Sequence, residues 1–468
     1  QGIINSGNES EVWAFSGMAM LMQWRRGKTC WSSFSSNLFS VCRRRTSQLV
    51  DDLKQCGGFR VGIVGAGPAG FYTAQSLMRD FSLLELQNHA ARIQVDVLDR
   101  TPIGNGLVRS GVAPDHPEVK HVQNRFQDFL AEYQTDTHKM NFFGNLNVAR
   151  STQPDIIETE NGVEVPLPIL RNCYHAIVFS CGSEGERRLK IPGNQLRGVY
   201  SAGAFVRYYN AGLPPNDVNS DYTEDTNISR SSKMAIIGHG NVALDAARII
   251  LKGRKALETT DITNQALDLL DTSTINEIHI FGRRGPAQAS FTNKELREMF
   301  EIDDCQVYIA KEDLTELNEA SQLEIKSSRT HKRMLALMTK KGTLISKEEM
   351  IQAISNTRNE KTHKKCFIHF NMSPVEYIAS PQDPNHVQEV ALEKTVLSGP
   401  ANAQRAKGTG EISKLQDCGI ILESIGYFPI PIGGVPFQNG IVMHSEGRIV
   451  DANQTPMEGL YASGWFKR

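Results

Sequence analysis

Two glycine-rich stretches carry the residue types and spacing from which chemistry follows in this chain. The first reads FRVGIVGAGPAGFYTAQSLM from Phe59, and the second reads KMAIIGHGNVALDAARIIL from Lys233. In each, a short apolar run meets G-x-G-x-x-G/A and a helical stretch follows. In the first, Gly65 permits a tight turn. Gly67 lets the backbone approach a pyrophosphate, and Gly70 lets helix and strand pack closely. Gly238, Gly240 and Ala243 take those places in the second, alanine being an accepted variant. The helix that follows offers unpaired N–H groups and a positive dipole end to phosphate. A lone G-x-G-x-x-G is a weak signal, because glycine turns are common. A strand before it and a helix after it supply the context the motif needs.

The residue after the next strand separates the two loops. Strand Ile93–Leu98 ends in Asp99, whose carboxylate can accept hydrogen bonds from ribose hydroxyls. The spacing is about ten residues longer than the usual ~20, and the excess lies around Leu83–Ala91. Strand Glu277–Phe281 ends instead in Gly282-Arg283-Arg284-Gly285. A carboxylate there would repel a 2′-phosphate, whereas guanidinium groups pair with one in bidentate fashion. That favours NADPH over NADH; a solvated arginine turn is the plainer reading. Two loops about 170 residues apart indicate two nucleotides. Nicotinamide moves electron pairs as hydride, while a flavin accepts a pair and releases electrons singly. A chain that binds both is most simply a converter between the two.

The elements that must position these loops are strand–helix–strand units, so the fold class is α/β. With 468 residues, 40% hydrophobic and 22% charged, two or three domains and a sizeable core are expected. The net charge of −1 gives no global basic excess for nucleic acid. The eight cysteines have no C-x-x-C spacing, so no zinc site or redox dithiol is indicated, and reduced thiols are expected. No stretch reaches the roughly 18 apolar residues that span a bilayer. No G-x-S-x-G elbow or H-E-x-x-H motif is present. Between Met18 and Ser47 there is no acid, while Arg25, Arg26, Lys28, Arg43, Arg44 and Arg45 stand among serines and apolar residues. That is a transit-segment composition, and a disordered basic tail is the other reading of it.

Several stretches resemble one family closely. They are Gly106-LVRSGVAPDHPEVK-His121, GHGNVALDAARIIL at 238–251, FGRRGPAQASFTNKELREM at 281–299 and LYASGWFKR at 460–468. They resemble the adrenodoxin reductase family of mitochondrial ferredoxin–NADP reductases, over roughly residues 58–468. The resemblance implies two Rossmann-like dinucleotide-binding domains, with an NADP domain inserted into a discontinuous FAD domain. The implied division is 1–57 extension and transit segment, 58–192 and 425–468 FAD-binding, and 193–424 NADP-binding. HAIVFSCG at 175–182 would return the chain toward the flavin, and Ile420 to Tyr427 would bring it back into the FAD domain.

The resemblance also implies residue roles. Ala69 would contact FAD, Asp99 would hold its ribose where the family typically has Glu, Leu107 and Val148 would line its site, and Trp465 would lie by the flavin. His239, Gly240, Asn241, Val242 and Glu295 would contact NADP, and Arg283 and Arg284 would bind its 2′-phosphate. His116 and Asp245 would meet near the flavin–nicotinamide junction. The residues alone leave His116 equally open to a structural role in its turn, and Asp245 to a helix-dipole role. Electrons would pass from NADPH through FAD, one at a time, to an acidic 2Fe–2S ferredoxin. Arg329 and Arg333, four apart on one helix face, would dock it with Arg297; a solvated helix face is the plainer reading of those charges. The implied location is the mitochondrial matrix, with peripheral contact to the inner membrane left open.

Two alternatives remain at this stage. An electron-transfer subunit like that of glutamate synthase also has two such loops, but its cluster-ligating cysteines are not spaced that way here. The chain ends at Lys467-Arg468, where the family continues into a turn and helix touching both ligands. A truncated, poorly active form that only binds ferredoxin or NADPH is therefore the non-enzyme alternative.

Overall fold

A computed structural model describes residues 58–86, 92–152, 155–159, 162–212, 231–355, 363–467. The expected transit segment lies outside the described residues. Within them, two seven-stranded sheets carry the molecule.

The first sheet is assembled from both ends of the chain. Its strands are β1 (Phe59–Val64), β2 (Ile93–Leu98), β3 (His138–Phe143) and β4 (Ala176–Phe179), and then, much later, β12 (His444–Ser445), β13 (Arg448–Val450) and β14 (Pro456–Ala462). The order is β12-β13-β14-β4-β1-β2-β3. β14, β4, β1, β2 and β3 run parallel. β1 is apolar from Val61 to Val64 because both of its faces are covered, and its one charged residue, Arg60, is buried near Asp96 of β2. Val61 and Ile63 pack with Phe71, Val95 and Phe126. Val64 packs on the opposite side with Leu98, Phe179 and Leu460.

The second sheet comes entirely from the intervening chain. It contains β5 (Val199–Ser201), β6 (Lys233–Ile237), β7 (Glu277–Phe281), β8 (Cys305–Ala310), β9 (Thr343–Ile345), β10 (Lys364–His369) and β11 (Cys418–Glu423). All neighbours are parallel, in the order β9-β8-β10-β7-β6-β11-β5. The side-chain period of two sorts β6 cleanly. Met234 and Ile236 face Leu244, Ile278 and Leu422 beneath the helices. Ala235 and Ile237 face Tyr377, Val390 and Leu415. Those three belong to an antiparallel three-stranded sheet, Met372–Ala379, Val387–Ser398 and Arg405–Leu415, that covers this face. One unit is thus inserted within the other.

The chain crosses between the units twice, and the crossings pair. Gly185–Glu186 lies antiparallel to Tyr427–Phe428. Arg207 grips Glu186 at 2.7 Å, and Arg188 grips the buried Glu423. The expected return of the chain between Ile420 and Tyr427 is therefore shared: Ile420 is in β11 of the second sheet, and Tyr427 is in the crossing ribbon.

In each sheet the glycine loop follows the strand at which the order reverses. β1 leads outward to β2 and β3, and β4 lies on its other side. β6 leads outward to β7, and β11 lies on its other side. Ligands of open parallel sheets bind at such switch points, beyond the carboxyl ends of the strands.

Candidate functional site: two dinucleotide loops and the charge cluster between them

The first loop opens helix α1 (Pro68–Leu86). Proline suits that first helical position, since its missing N–H is one the helix leaves unbonded. The helix runs through to Leu86, and so takes up much of the long spacing to Asp99. Gly65 has φ +105°, a region that favours glycine. A Cβ on Gly70 would collide with the carbonyl oxygen of Gly65. A Cβ on Gly67 would meet nothing nearer than Gly106 Cα at 3.9 Å, which is the open cradle a pyrophosphate needs. Asp99 is tied to this turn. Its Oδ2 accepts from the Ala66 N–H at 2.7 Å, and its Oδ1 accepts from the Thr101 N–H and hydroxyl at 2.8 and 2.6 Å.

Other chain segments close over this loop. Asn105 N–H donates to Ala66 O at 2.7 Å, which lays Gly106 and Leu107 across it. Leu107 is 64% exposed, as is Trp465. Gly464, at φ +65°, leaves no space for a side chain, since a Cβ there would lie 2.5 Å from the Ala69 Cβ. Ser463 is held by Phe179 O at 2.8 Å and lies 3.3 Å from the Thr73 hydroxyl. Gly65, Ala69, Gly70, Asp99, Leu107 and Trp465 therefore gather beyond the carboxyl ends of the first sheet's parallel strands. Val148 is buried among Val64, Leu98 and Leu146.

The second loop opens helix α2 (Asn241–Lys252), whose N-terminus no side chain caps. Gly238 has φ +127°, and a Cβ on Gly240 would touch nothing within 4 Å. The His239 ring packs edge-on to Phe370, with centroids 4.8 Å apart. Burial pushes its imidazole down to about 4, with help from the Arg284 charge. Asn241 Oδ1 accepts from Thr292 N–H at 2.7 Å. Val242 is half-buried against the helical core. Arg283 and Arg284 are exposed at the end of β7. A cavity of about 210 Å³ beside them is lined by Arg284, Gln288, Glu324, His331 and Gln404. Glu295, in helix α3 (Asn293–Met299), buries an Oε2 with no hydrogen-bond partner among the described residues.

Helix α4 (Arg329–Lys341) adjoins α3, as Asn293 Nδ2 donates to Thr330 O at 3.3 Å. Arg297, Arg329 and Arg333 are all exposed on these two neighbouring helices.

His116 and Asp245 lie in one charge cluster, but no direct bond joins them. His116 Nε2 contacts Glu298 Oε2 at 2.6 Å. Asp245 Oδ1 contacts Arg248 Nη2 at 2.8 Å. Burial pushes the Asp245 carboxyl up against the pull of Arg248. Burial also acts to raise Asp115, but the Arg248 and Lys252 contacts overcome it and hold that carboxyl well below the usual range. Glu298, Arg248, Asp115 and Lys252 were not singled out from the sequence. Arg248 stands in an otherwise apolar stretch of α2, and an arginine at a core-facing position is a readable sign of buried partners.

The comparisons with known proteins agree with this geometry. No family model matches the chain. The mitochondrial NADPH:adrenodoxin oxidoreductase of Arabidopsis thaliana is 36% identical over 417 residues, covering 87% of this chain and 77% of that protein. The Homo sapiens protein of that name is 38% identical over 414 residues, covering 87% and 74%. Among solved structures, Mycobacterium tuberculosis FprA in complex with NADPH is similar at a TM-score of 0.71 and 30% identity, covering 88% of this chain and 79% of that one. The chain belongs to the NADPH:adrenodoxin oxidoreductase family.

Proposed function

We propose that this chain is an FAD-containing enzyme that takes electrons from NADPH and delivers them singly to a 2Fe–2S ferredoxin of the adrenodoxin kind. The difference between the loops carries the reading: an acid follows one, and a pair of exposed arginines follows the other. Residues 58–192 and 425–468 make the FAD-binding part, and 193–424 the NADP-binding part. Gly65, Gly67, Ala69, Gly70 and Asp99 would hold FAD, with Leu107, Val148 and Trp465 around it. His239, Gly240, Asn241, Val242 and Glu295 would hold NADPH, and Arg283 and Arg284 its 2′-phosphate. The open cradles at Gly67 and Gly240 fit two pyrophosphates. When bound, FAD supplies the conversion from an electron pair to single electrons.

The chain's own work is placement. Two helix N-termini point N–H groups at the phosphates. Asp99 keeps the first turn in shape while retaining acceptor capacity for a ribose hydroxyl. His116 and Asp245, in the cluster between the loops, would border the reacting rings. Arg297, Arg329 and Arg333 present positive charge to an acidic ferredoxin, which speeds encounter and weakens with salt. The relatives' names support the mitochondrion as location; the matrix is the proposed compartment. Among the described residues no helix is long and apolar enough to cross a membrane, and no feature of them supports a peripheral membrane contact.

The test is the purified chain itself. It should show flavin absorbance, hold no more than trace iron, and reduce a 2Fe–2S ferredoxin with NADPH far better than with NADH. Arg333→Glu should raise the KM for ferredoxin and leave NADPH-dependent reduction of a small acceptor unchanged. Absence of flavin, or a parallel fall of both activities, would overturn the respective part of the proposal.

A further inference from the structure

The segment Val112–Lys120 belongs to the first unit by connectivity but is anchored on the second. Val112 O accepts from Asn210 Nδ2 at 3.0 Å, and Lys120 contacts Asn210 and Asp261 at 3.1 and 2.7 Å. Glu118 pairs with Lys294 at 2.8 Å. At the centre of this contact is Arg248, whose side chain is 0% exposed. Its Nε and Nη2 reach both oxygens of Asp115, at 2.7 and 3.0 Å. Nη2 also lies 2.8 Å from Asp245, and Nη1 lies 3.4 Å from Glu298. Lys252, one turn on, adds a second cation at 2.8 Å from Asp115.

The connections run to both loops. Arg248 stands on α2, the helix that begins at the second loop. Asp115 immediately precedes His116, in the segment that has just crossed the first loop at Gly106. A planar fork bound to both oxygens of one carboxylate fixes direction as well as distance. Its remaining edge meets the carboxylate that holds His116. A guanidinium so deeply buried is retained only where its partners surround it.

We propose that Arg248 is a positioning residue: by clamping Asp115, Asp245 and Glu298 together it sets His116 and holds the two dinucleotide loops in fixed relation. The proposal rests on the reading of those loops as FAD and NADPH sites. Hydride transfer demands reacting atoms within about 3–3.5 Å, and a misplacement of ~1 Å can cost about a hundredfold in rate. Lysine at 248 would keep the charge and lose the fork. Asparagine at 115 would keep a hydrogen-bonding group and lose the charge.

The experiment uses the full chain and three variants: Arg248→Lys, Asp115→Asn and, as a control on the same contact, Asp261→Asn. Three quantities are read: the rate of flavin reduction by saturating NADPH, the Kd for NADP+, and amide hydrogen exchange along 112–120. Arg248→Lys and Asp115→Asn should each slow flavin reduction at least about tenfold, in keeping with that geometric sensitivity. Flavin content and the NADP+ Kd should stay within about twofold, and exchange in 112–120 should rise while the sheet strands stay protected. Asp261→Asn should leave the reduction rate unchanged. Unchanged reduction in both cluster variants would overturn the proposal. So would parallel losses of flavin, NADP+ affinity and strand protection in both, which would mark a purely structural residue. A wild-type chain that holds flavin but is not reduced by NADPH would instead defeat the functional reading on which the proposal stands.

Discussion

The two glycine loops share a local fold and differ in everything placed around them. The first is enclosed. Asn105 and Gly106 cross it, Gly464 presses on Ala69, and Asp99 ties down the Ala66 N–H. The second is open. Gly240 has empty space before it, Arg283 and Arg284 face solvent, and a cavity adjoins them. An enclosed loop suits a nucleotide that stays bound through many turnovers. An open loop suits one that must leave after each. The difference teaches that the shared motif specifies phosphate binding alone. On the proposed reading, residence would be decided by segments distant in sequence, and phosphate selectivity by the arginines at the end of the next strand.

The largest effect should come from removing what selects at the open loop. Each charge-assisted contact to an ionised group contributes ~1.5–3 kcal/mol. The double variant Arg283→Ala, Arg284→Ala should therefore raise the KM for NADPH by at least about a hundredfold. The KM for NADH should move by less than about threefold, because NADH has no 2′-phosphate to lose. Steady-state assays with both nucleotides decide it. If the two constants rose together, the arginines would be shaping the turn rather than reading the phosphate.

A smaller effect should come from disturbing the closure of the first loop. In Gly464→Ala the new methyl meets Ala69, and the residue is held at φ +65°. Overpacking of this kind costs about 1–3 kcal/mol. The flavin dissociation rate should rise roughly tenfold or more, with the NADP+ Kd unchanged. Equal losses at both sites would mean that closure is not local to the first loop, and the contrast would fail.

Much of this contrast was legible in the residues. The apolar runs at Ile63, Val95, Ile236 and Ile278 announce parallel strands because both faces of each sheet are buried. The glycines announce the turns, and the residues after the next strands, Asp99 in one unit and Arg283 and Arg284 in the other, announce that the two loops differ. What was not legible is what depends on contacts far apart in the chain. The acceptor of His116 proves to be Glu298, 182 residues away. Arg248 finds Asp115 only because the first unit sends a segment onto the second. The antiparallel sheet from Met372 to Leu415 also went unread. It packs one face on β6 and β11 and leaves much of Arg405–Leu415 exposed, so its pattern mixes burial with exposure.

The smallest effect turns on the residue between the first two glycines of each motif, which is Ala66 in one loop and His239 in the other. Ala66 carries no charge at any pH. His239 is held neutral, its imidazole pushed down to about 4 by burial and by the Arg284 charge. The unfolded chain protonates this histidine near the ordinary imidazole value of 6.5, so as pH falls the unfolded state takes up the proton first. The contribution to stability is whole above about pH 6.5 and is lost progressively toward pH 4. At pH 5 the loss is about 2 kcal/mol. His239→Gln removes that titration and keeps a side chain able to hydrogen-bond. Without NADP+, the wild-type Tm should fall between pH 7.5 and pH 5 by a few degrees more than the variant's. Equal falls would show that His239 is solvated when the site is empty and that the second loop is more open still. A larger fall in the variant would reverse the sign and remove His239 from the account of acid sensitivity.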